Sequence, residues 1–592
     1  MTGARIGRDA GGWPPAGAAV PVPMPPAVSS VASLLARVDA LAPYGAARAF
    51  LVIAIHAAAF AVMLATEADV EARAAFVLFW GVLNFLCLAL LRRPAAAAML
   101  SLGMVSALIL LSGFKHDILF MTVNFVDLML IDVDTFGFLF AVVPGLGWKV
   151  GVAALTFAIA TVAIIRLDPF RVRRRVALLG SLACITALAG LAFALPTDPY
   201  DEFYRHQYVS KFARSGVTSV AEYLQHGLLQ ADRHAVDRLA AVGEKRCNPA
   251  QRPPHIIMVF DESSFDITAA PGMTVPAGYR NHFASFDGKH RSFVVEGAGG
   301  PSWFTEYNVL TGLSALSYGR FADLVTRIAA TYVTRGFPDA LRRCGYKTYS
   351  FYPYFGAFMS ARRFQTQAGI EHFLDARDMG ARGLEPDSFF YAAAGDAIAR
   401  ERGGAPLFLF VYTAANHFPW DKPFRPELTP GWRKPGNDAE TDEYLRRQHM
   451  SAQDYAAFVA RLRRENPDER FLIVRFGDHQ PSFARRLLDP RLDDSLLARQ
   501  IAAHDPKFLS TYYAIDVVNF RPADLSSALG TLDAPYLPIV VMEAAGLPLD
   551  PSFAEQKKIL QHCNGLFYRC RGGAEARRFN RLLIDAGVIK GH

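Results

Sequence analysis

The chain has 592 residues, 52% of them hydrophobic, and a formal net charge of +7. That length excludes a single ordinary domain. The apolar excess is gathered before about Pro196, which excludes a purely soluble enzyme and predicts a membrane part followed by a globular part. The basic excess sits in short clusters beside apolar runs, where membrane topology accounts for it. No DNA- or RNA-binding motif accompanies it, so no nucleic-acid partner is expected.

Residues 1–45 open with a Pro-, Ala- and Gly-rich stretch and are expected to be a disordered cytoplasmic N-terminus. They do not read as a secretory signal, because the apolar run begins late and is long enough to stay in the bilayer. Residues 46–195 form the predicted transmembrane domain, with spans at Ala46–Thr66, Ala74–Leu91, Ala95–Gly113, Lys149–Ile165 and Val176–Leu195. The apolar stretch Ile118–Val143 has Asp117 beside it and carries Asp127, Asp132 and Asp134. It reads as re-entrant or interfacial, with a sixth span as the alternative. Arg92-Arg93 and the cluster Arg166, Arg171, Arg173, Arg174, Arg175 mark two cytoplasmic loops. Five spans then place everything after Leu195 outside the cytoplasm.

Residues 196–252 are a charged connector in which Val217–Val242 has helical apolar spacing. Cys247, Cys344, Cys563 and Cys570 fall outside the spans. In an oxidising compartment they permit two disulfides, Cys563–Cys570 being the obvious local pair, with buried free thiols as the alternative. From Pro253 short apolar runs alternate with helical stretches. Strands are predicted at His255–Phe260, Ser292–Glu296, Thr348–Tyr352, Leu407–Tyr412 and Phe471–Phe476, and helices at Trp303–Thr311, Tyr332–Cys344 and Ala452–Glu465. Such alternation predicts an α/β sheet flanked by helices over residues 253–548, followed by a C-terminal extension at 549–592.

Chemistry in such sheets gathers beyond the carboxyl ends of the strands. Those ends carry Asp261-Glu262-Ser263, Gly297-Ala298-Gly299-Gly300-Pro301-Ser302, Asn416-His417-Phe418-Pro419-Trp420 and Gly477-Asp478-His479-Gln480-Pro481. Glu, Asp, His and a Ser oxygen converging there suit one divalent cation that activates a hydroxyl for attack on phosphorus or sulfur. Each piece also has a plainer reading. The acids suit solvated turns, Asn416-His417 a packed loop, and Ser302 the N-cap of the following helix.

The segments PHIIMVFDESSFD, GGPSWFTEYNVLTGL, NHFPW and RFGDHQP, in this order behind about five spans, resemble the membrane-anchored sulfatase-fold transferases of the alkaline phosphatase superfamily. Lipoteichoic acid synthases, phosphoglycerol transferases and phosphoethanolamine transferases belong to that group. The resemblance implies an N-terminal helical membrane domain and a C-terminal α/β sulfatase-like domain. It also implies a bacterial cytoplasmic (inner) membrane location with the catalytic domain on the extracytoplasmic side. Carried over, it makes Ser302 the nucleophile and Glu262, Ser302, Asp478 and His479 the ligands of one Mn²⁺, Mg²⁺ or Zn²⁺. His417 becomes a catalytic and substrate-contacting histidine, and Trp303, Tyr352 and Arg362 join it in binding substrate. Ser302 stands where Thr is common, and Tyr352 where lipoteichoic acid synthases carry His. The implied reaction moves a phosphoglycerol or phosphoethanolamine headgroup from a phospholipid donor to a glycan or lipid acceptor through a phosphoserine. The alternatives are a phosphodiesterase or sulfate-ester hydrolase on the same fold, and a scaffold without chemistry. The Cys/Ser-x-Pro-x-Arg signature of sulfatases is absent around Ser302.

Overall fold

The computed structural model describes residues 44–119, 121–168, 170–195, 206–234, 238–239, 247 and 252–590. Of residues 1–45, expected to be disordered, 1–43 lie outside them, and Tyr44 and Gly45 begin the first helix. The chain divides into two compact units. One is Met1–Met129 with Gly145–Ala221, the other Leu130–Pro144 with Glu222–His592.

In the first unit, α1 (Tyr44–Thr66), α2 (Val70–Leu91), α3 (Pro94–Leu119), α6 (Leu146–Leu167) and α7 (Arg174–Ala194) are long and apolar enough to cross a membrane. Each predicted span falls on one of them. Glycines let α2 and α7 approach closely: a Cβ on Gly81 would lie 2.8 Å from Cys184 Sγ, and one on Gly180 would meet the Phe85 ring. The stretch 118–143 is not a sixth span. It forms two short helices, α4 (Phe125–Met129) and α5 (Val133–Val142). Its acids are used: Lys115 Nζ reaches Asp127 at 2.8 Å, while Asp132 and Asp134 belong with the second unit. The predicted connector helix starts earlier and ends sooner, as α8 (Tyr208–His226), where Gly227 at φ +74° closes it. Residues 235–237 and 240–242 of that prediction lie outside the described residues.

The second unit is built on an eight-stranded sheet. Its strands are β1 (His255–Asp261), β2 (Arg291–Val294), β3 (Lys347–Phe351), β4 (His372–Leu374), β5 (Leu407–Tyr412), β6 (Phe471–Gly477), β7 (Ser510–Val518) and β8 (Thr531–Asp533), in the order β4-β3-β5-β1-β6-β7-β2-β8. The run from β4 to β6 is parallel, β7 is antiparallel to both neighbours, and β2 pairs with β8 in parallel. Central strands are covered on both faces, which is why β1, β5 and β6 read as unbroken apolar runs. Ile257, Val259, Leu407, Leu409 and Val411 pack on Phe390, Tyr391 and Ile398 of α13 (Asp387–Arg400) and Phe458 and Leu462 of α14 (Ala439–Glu465). Phe408 turns to the opposite face and meets Phe337 of α11 (Phe337–Arg343).

Two predicted helices differ from those observed. The stretch Tyr332–Cys344 is broken, because α10 (Val325–Tyr332) ends where Val333 bridges to Ile589. Helix α11 starts afresh behind Gly336 with Pro338 in its first turn. Helix α14 begins at Ala439 rather than Ala452, capped by Asp438 accepting from Thr441 N–H. Its first half buries Asp442, Arg446, Arg447 and Gln448, so no apolar period announces it. Disulfides join Cys247 to Cys344 and Cys563 to Cys570, which resolves the thiol alternative.

Candidate metal centre and nucleophile

Strand register brings the acids together. Asp261 lies opposite Gly477 where β1 and β6 run in parallel, so Glu262 and Asp478 leave the sheet side by side. A side chain at Gly477 is excluded, since its Cβ would lie 1.9 Å from Ser264 O. Ser302 reaches this edge as the first residue of α9 (Ser302–Thr311), behind Gly299 at φ +73°. Thr305 Oγ1 ties α9 down by donating to Asp478 O at 2.7 Å. The helix-capping question is answered here. Pro301 occupies the N-cap without a side-chain cap, and the Ser302 hydroxyl lies 3.1 Å from His479 Nε2 instead.

Glu262, Asp478 and His479 each offer a ligand atom, all within 4.8 Å of one another. His479 Nε2 stands 3.2 Å from Asp478 Oδ2 and 3.7 Å from Glu262 Oε1. Its Nδ1–H donates to Gln480 O at 2.9 Å, which leaves a bare Nε2 facing the cluster. Asp478 Oδ1 accepts from the N–H groups of Ser263 and His479 at 2.7 and 2.9 Å, and Glu262 Oε1 from Ser263 Oγ at 2.9 Å. Their second oxygens, Asp478 Oδ2 and Glu262 Oε2, are buried without a hydrogen-bond donor. Leaving buried carboxylate oxygens unpaired is costly. Burial, then the charge of Asp478, pushes Glu262 well above the carboxylate range, and burial pushes Asp478 up as well. Two such oxygens, one imidazole nitrogen and one hydroxyl form a donor set that fits a divalent cation, with Glu262, Asp478, His479 and Ser302 as its holders.

The neighbours sort clearly. Asp261 stays outside this donor set: His282 Nε2 meets it at 2.8 Å and Tyr512 donates to it. The half-buried His417 donates from Nδ1 to Phe418 O at 2.7 Å, leaving Nε2 bare. Burial, partly offset by that bond, pushes its pKa down to about 4. Trp303 is buried, gives its indole N–H to Asp323 O and sets its ring against Phe304 and Phe358. Tyr352 is buried among Tyr354, Phe373 and Tyr412. Arg362 is engaged elsewhere: it pairs with Asp375 and Asp378 and lines an edge cleft with Tyr349 and His372. The residue that reasoning from sequence passed over is Tyr354, two places on from Tyr352. Its ring lies 5.5 Å from that of His417, and its buried hydroxyl has no hydrogen-bond partner. The aromatic run beyond the carboxyl end of β3 was the available signal.

Residues 301–510 match the Sulfatase family. Within them lie Ser302, His417, Asp478 and His479, while Glu262 precedes the matched residues. The chain is also similar to the capsular polysaccharide biosynthesis protein RkpI of Rhizobium meliloti (strain 1021), 29% identical over 226 residues, 35% of this chain and 39% of that one. The chain thus spans about two fifths of the length of the curated relative it matches. Among solved structures, the phosphoglycerol transferase GacH of Streptococcus pyogenes, in complex with sn-glycerol-1-phosphate, is 15% identical. The match covers 59% of this chain and 89% of that one, with a TM-score of 0.41. The lipooligosaccharide phosphoethanolamine transferase A (EptA) of Neisseria meningitidis is 12% identical over 83% of this chain and 98% of that one, TM-score 0.40. At those values neither likeness bears on what the sulfatase domain acts upon.

Proposed function

We propose that this protein is a membrane-bound, metal-dependent transferase that moves a phospho-alcohol headgroup from a phospholipid to a cell-envelope glycan or lipid through a phosphoserine at Ser302. The observation that carries the reading is the Ser302 hydroxyl 3.1 Å from His479 Nε2, inside a cluster where Glu262 Oε2 and Asp478 Oδ2 lack partners. A divalent cation there supplies charge neutralisation and a lowered serine pKa; Mn²⁺, Mg²⁺ and Zn²⁺ all suit the donor set. Ser302 Oγ forms a bond to phosphorus as the bond from phosphorus to the diacylglycerol oxygen breaks, and the serine proton ends on the diacylglycerol hydroxyl. In the second half an acceptor hydroxyl gives its proton to the bare Nε2 of His417 and attacks phosphorus, and Ser302 leaves and regains the proton. Trp303 and Tyr354 wall the headgroup. The glycan acceptor is supported by the polysaccharide-biosynthesis name of the Rhizobium relative. An extracytoplasmic sulfatase domain in the bacterial inner membrane is supported by the arginine-rich loops and the two disulfides.

The Sulfatase family match keeps sulfate-ester or phosphodiester hydrolysis as the second reading. Incubating the full chain with headgroup-labelled phosphatidylglycerol and phosphatidylethanolamine, with and without membrane glycan, separates the two. Transfer predicts label on glycan or lipid. Release of free headgroup phosphate with acceptor present supports hydrolysis.

A further inference from the structure

Helix α5 is a short apolar helix of the second unit. It reads VDTFGFLFAV, has no buried residue, and exposes Val133 at 74%, Phe136 at 51% and Phe140 at 59%. Ten residues rise about 15 Å, half of a bilayer core, so it does not span. Three residues, Val143 to Gly145, separate it from the span α6. Chain reach alone therefore holds its end within roughly 14 Å of that span's start.

The helix is pinned to the sulfatase domain by its own acids. Asp132 caps it, accepting from Thr135 N–H at 3.0 Å, and takes Ser360 Oγ at 2.8 Å and Arg363 Nη1 at 3.0 Å through its other oxygen. Arg363 also reaches Asp134 at 3.2 Å, and Arg327 Nε stands 3.7 Å from Asp132. One aromatic turns inward: Phe138 meets Phe358 at 5.3 Å between ring centroids. Phe358 in turn lies 6.2 Å from Trp303, the residue after the nucleophile, and 6.0 Å from Tyr354, which touches His417. An unbroken aromatic path thus runs from α5 to the site, while Val133, Phe136 and Phe140 stay bare.

We infer that α5 is a lipid-facing guide: its exposed Val133, Phe136 and Phe140 lie among phospholipid acyl chains, and its pinned face delivers the donor's headgroup along Phe138, Phe358 and Trp303 to Ser302. This rests on the transferase reading for its donor. The occupant is lipid because α5 is apolar around its exposed face, is tethered three residues from a span, and is too short to enter the bilayer as a span itself. It also accounts for Arg363, which the aspartates of α5 hold, leaving it unavailable for the headgroup.

The test uses the full chain in nanodiscs of phosphatidylglycerol and phosphatidylethanolamine doped with a phospholipid carrying a photoreactive acyl chain. After illumination, peptide mapping is expected to find label on Phe136 or Phe140. Label confined to the five spans overturns the inference, whatever the activity. In a second arm, Phe136→Ser/Phe140→Ser and Asp132→Asn are assayed on the same phospholipids and on bis(4-nitrophenyl) phosphate, a soluble diester. Loss of tenfold or more on lipid, with soluble turnover held within twofold, supports the guide. Equal loss on both, or no loss on lipid, overturns it. Acyl label on α5 without headgroup transfer by the unmodified chain leaves the lipid contact standing and sinks the transferase reading.

Discussion

Glu306 lies one turn beyond Ser302 on α9, is buried, and accepts a single side-chain bond, from Gln365 Nε2 at 2.9 Å. The other amide atom, Gln365 Oε1, has no donor. Burial pushes Glu306 up to about 8. A carboxyl whose folded pKa lies above its unfolded value binds more protons when folded, so stability is fullest below pH 4.5 and is lost as pH rises toward 8. At 1.36 kcal/mol per unit, the loss by pH 8 is on the order of 4 kcal/mol. Glu306→Gln removes the charge, keeps the acceptor for Gln365 Nε2, and supplies the donor that Gln365 Oε1 lacks. The variant is therefore expected to unfold some 5–10 °C above the parent at pH 8, taking roughly 2 °C per kcal/mol for a domain of this size, and to match it at pH 5. Thermal unfolding of the full chain in detergent at both pH values is the assay. Comparing parent with variant at each pH isolates Glu306 from Glu296, Asp387 and Asp533, which burial raises to about 7 each. A variant equally stable to the parent at pH 8, or less stable by the same amount at both pH values, refutes the reasoning.

Saturating Mn²⁺ or Zn²⁺ at a hundred times its dissociation constant is expected to stabilise the chain by about 2.7 kcal/mol, and a chelator to reverse this in the same unfolding assay. Titration calorimetry should show weaker metal binding at pH 6 than at pH 8, because raised Glu262 and Asp478 must give up protons first. Gly477→Ala is expected to cost about 3 kcal/mol and to abolish metal uptake, since the new Cβ meets Ser264 O and forces apart the strand ends that carry Glu262 and Asp478. His417→Ala is expected to slow acceptor-dependent turnover about 100-fold while phosphoserine accumulates, read by quenched-flow and peptide mapping.

Much of this was legible because the informative segments were extreme in pattern. The five spans are long apolar runs, and β1, β5 and β6 are apolar on both faces, so length and period point to one answer. The cluster was legible because Glu262 and Asp478 each directly follow an apolar strand, and parallel strands end at one edge. What escaped is what pattern cannot carry. Strands β4 and β8 have three residues each, and β7, STYYAIDVV, mixes polar and apolar residues on a strand that pairs antiparallel with both neighbours. The first half of α14 buries charges that pair with one another, Arg446 and Arg447 with Glu443, so its buried face looks like a surface. Tyr352 and Tyr354 are equivalent in sequence terms; only tertiary packing sets the ring of Tyr354 5.5 Å from that of His417. Asp132 and Asp134 were ambiguous for a related reason, since their arginine partners lie about 200 residues away.

The central claim is that Ser302 carries the transferred group. The most direct measurement is peptide mass spectrometry of the full chain quenched during turnover of phosphatidylglycerol or phosphatidylethanolamine without acceptor. The account predicts a phospho-headgroup on the peptide containing Ser302, chased off by glycan acceptor and absent from Ser302→Ala, which keeps its thermal stability. Undiminished transfer by Ser302→Ala, or an adduct on another residue, contradicts it.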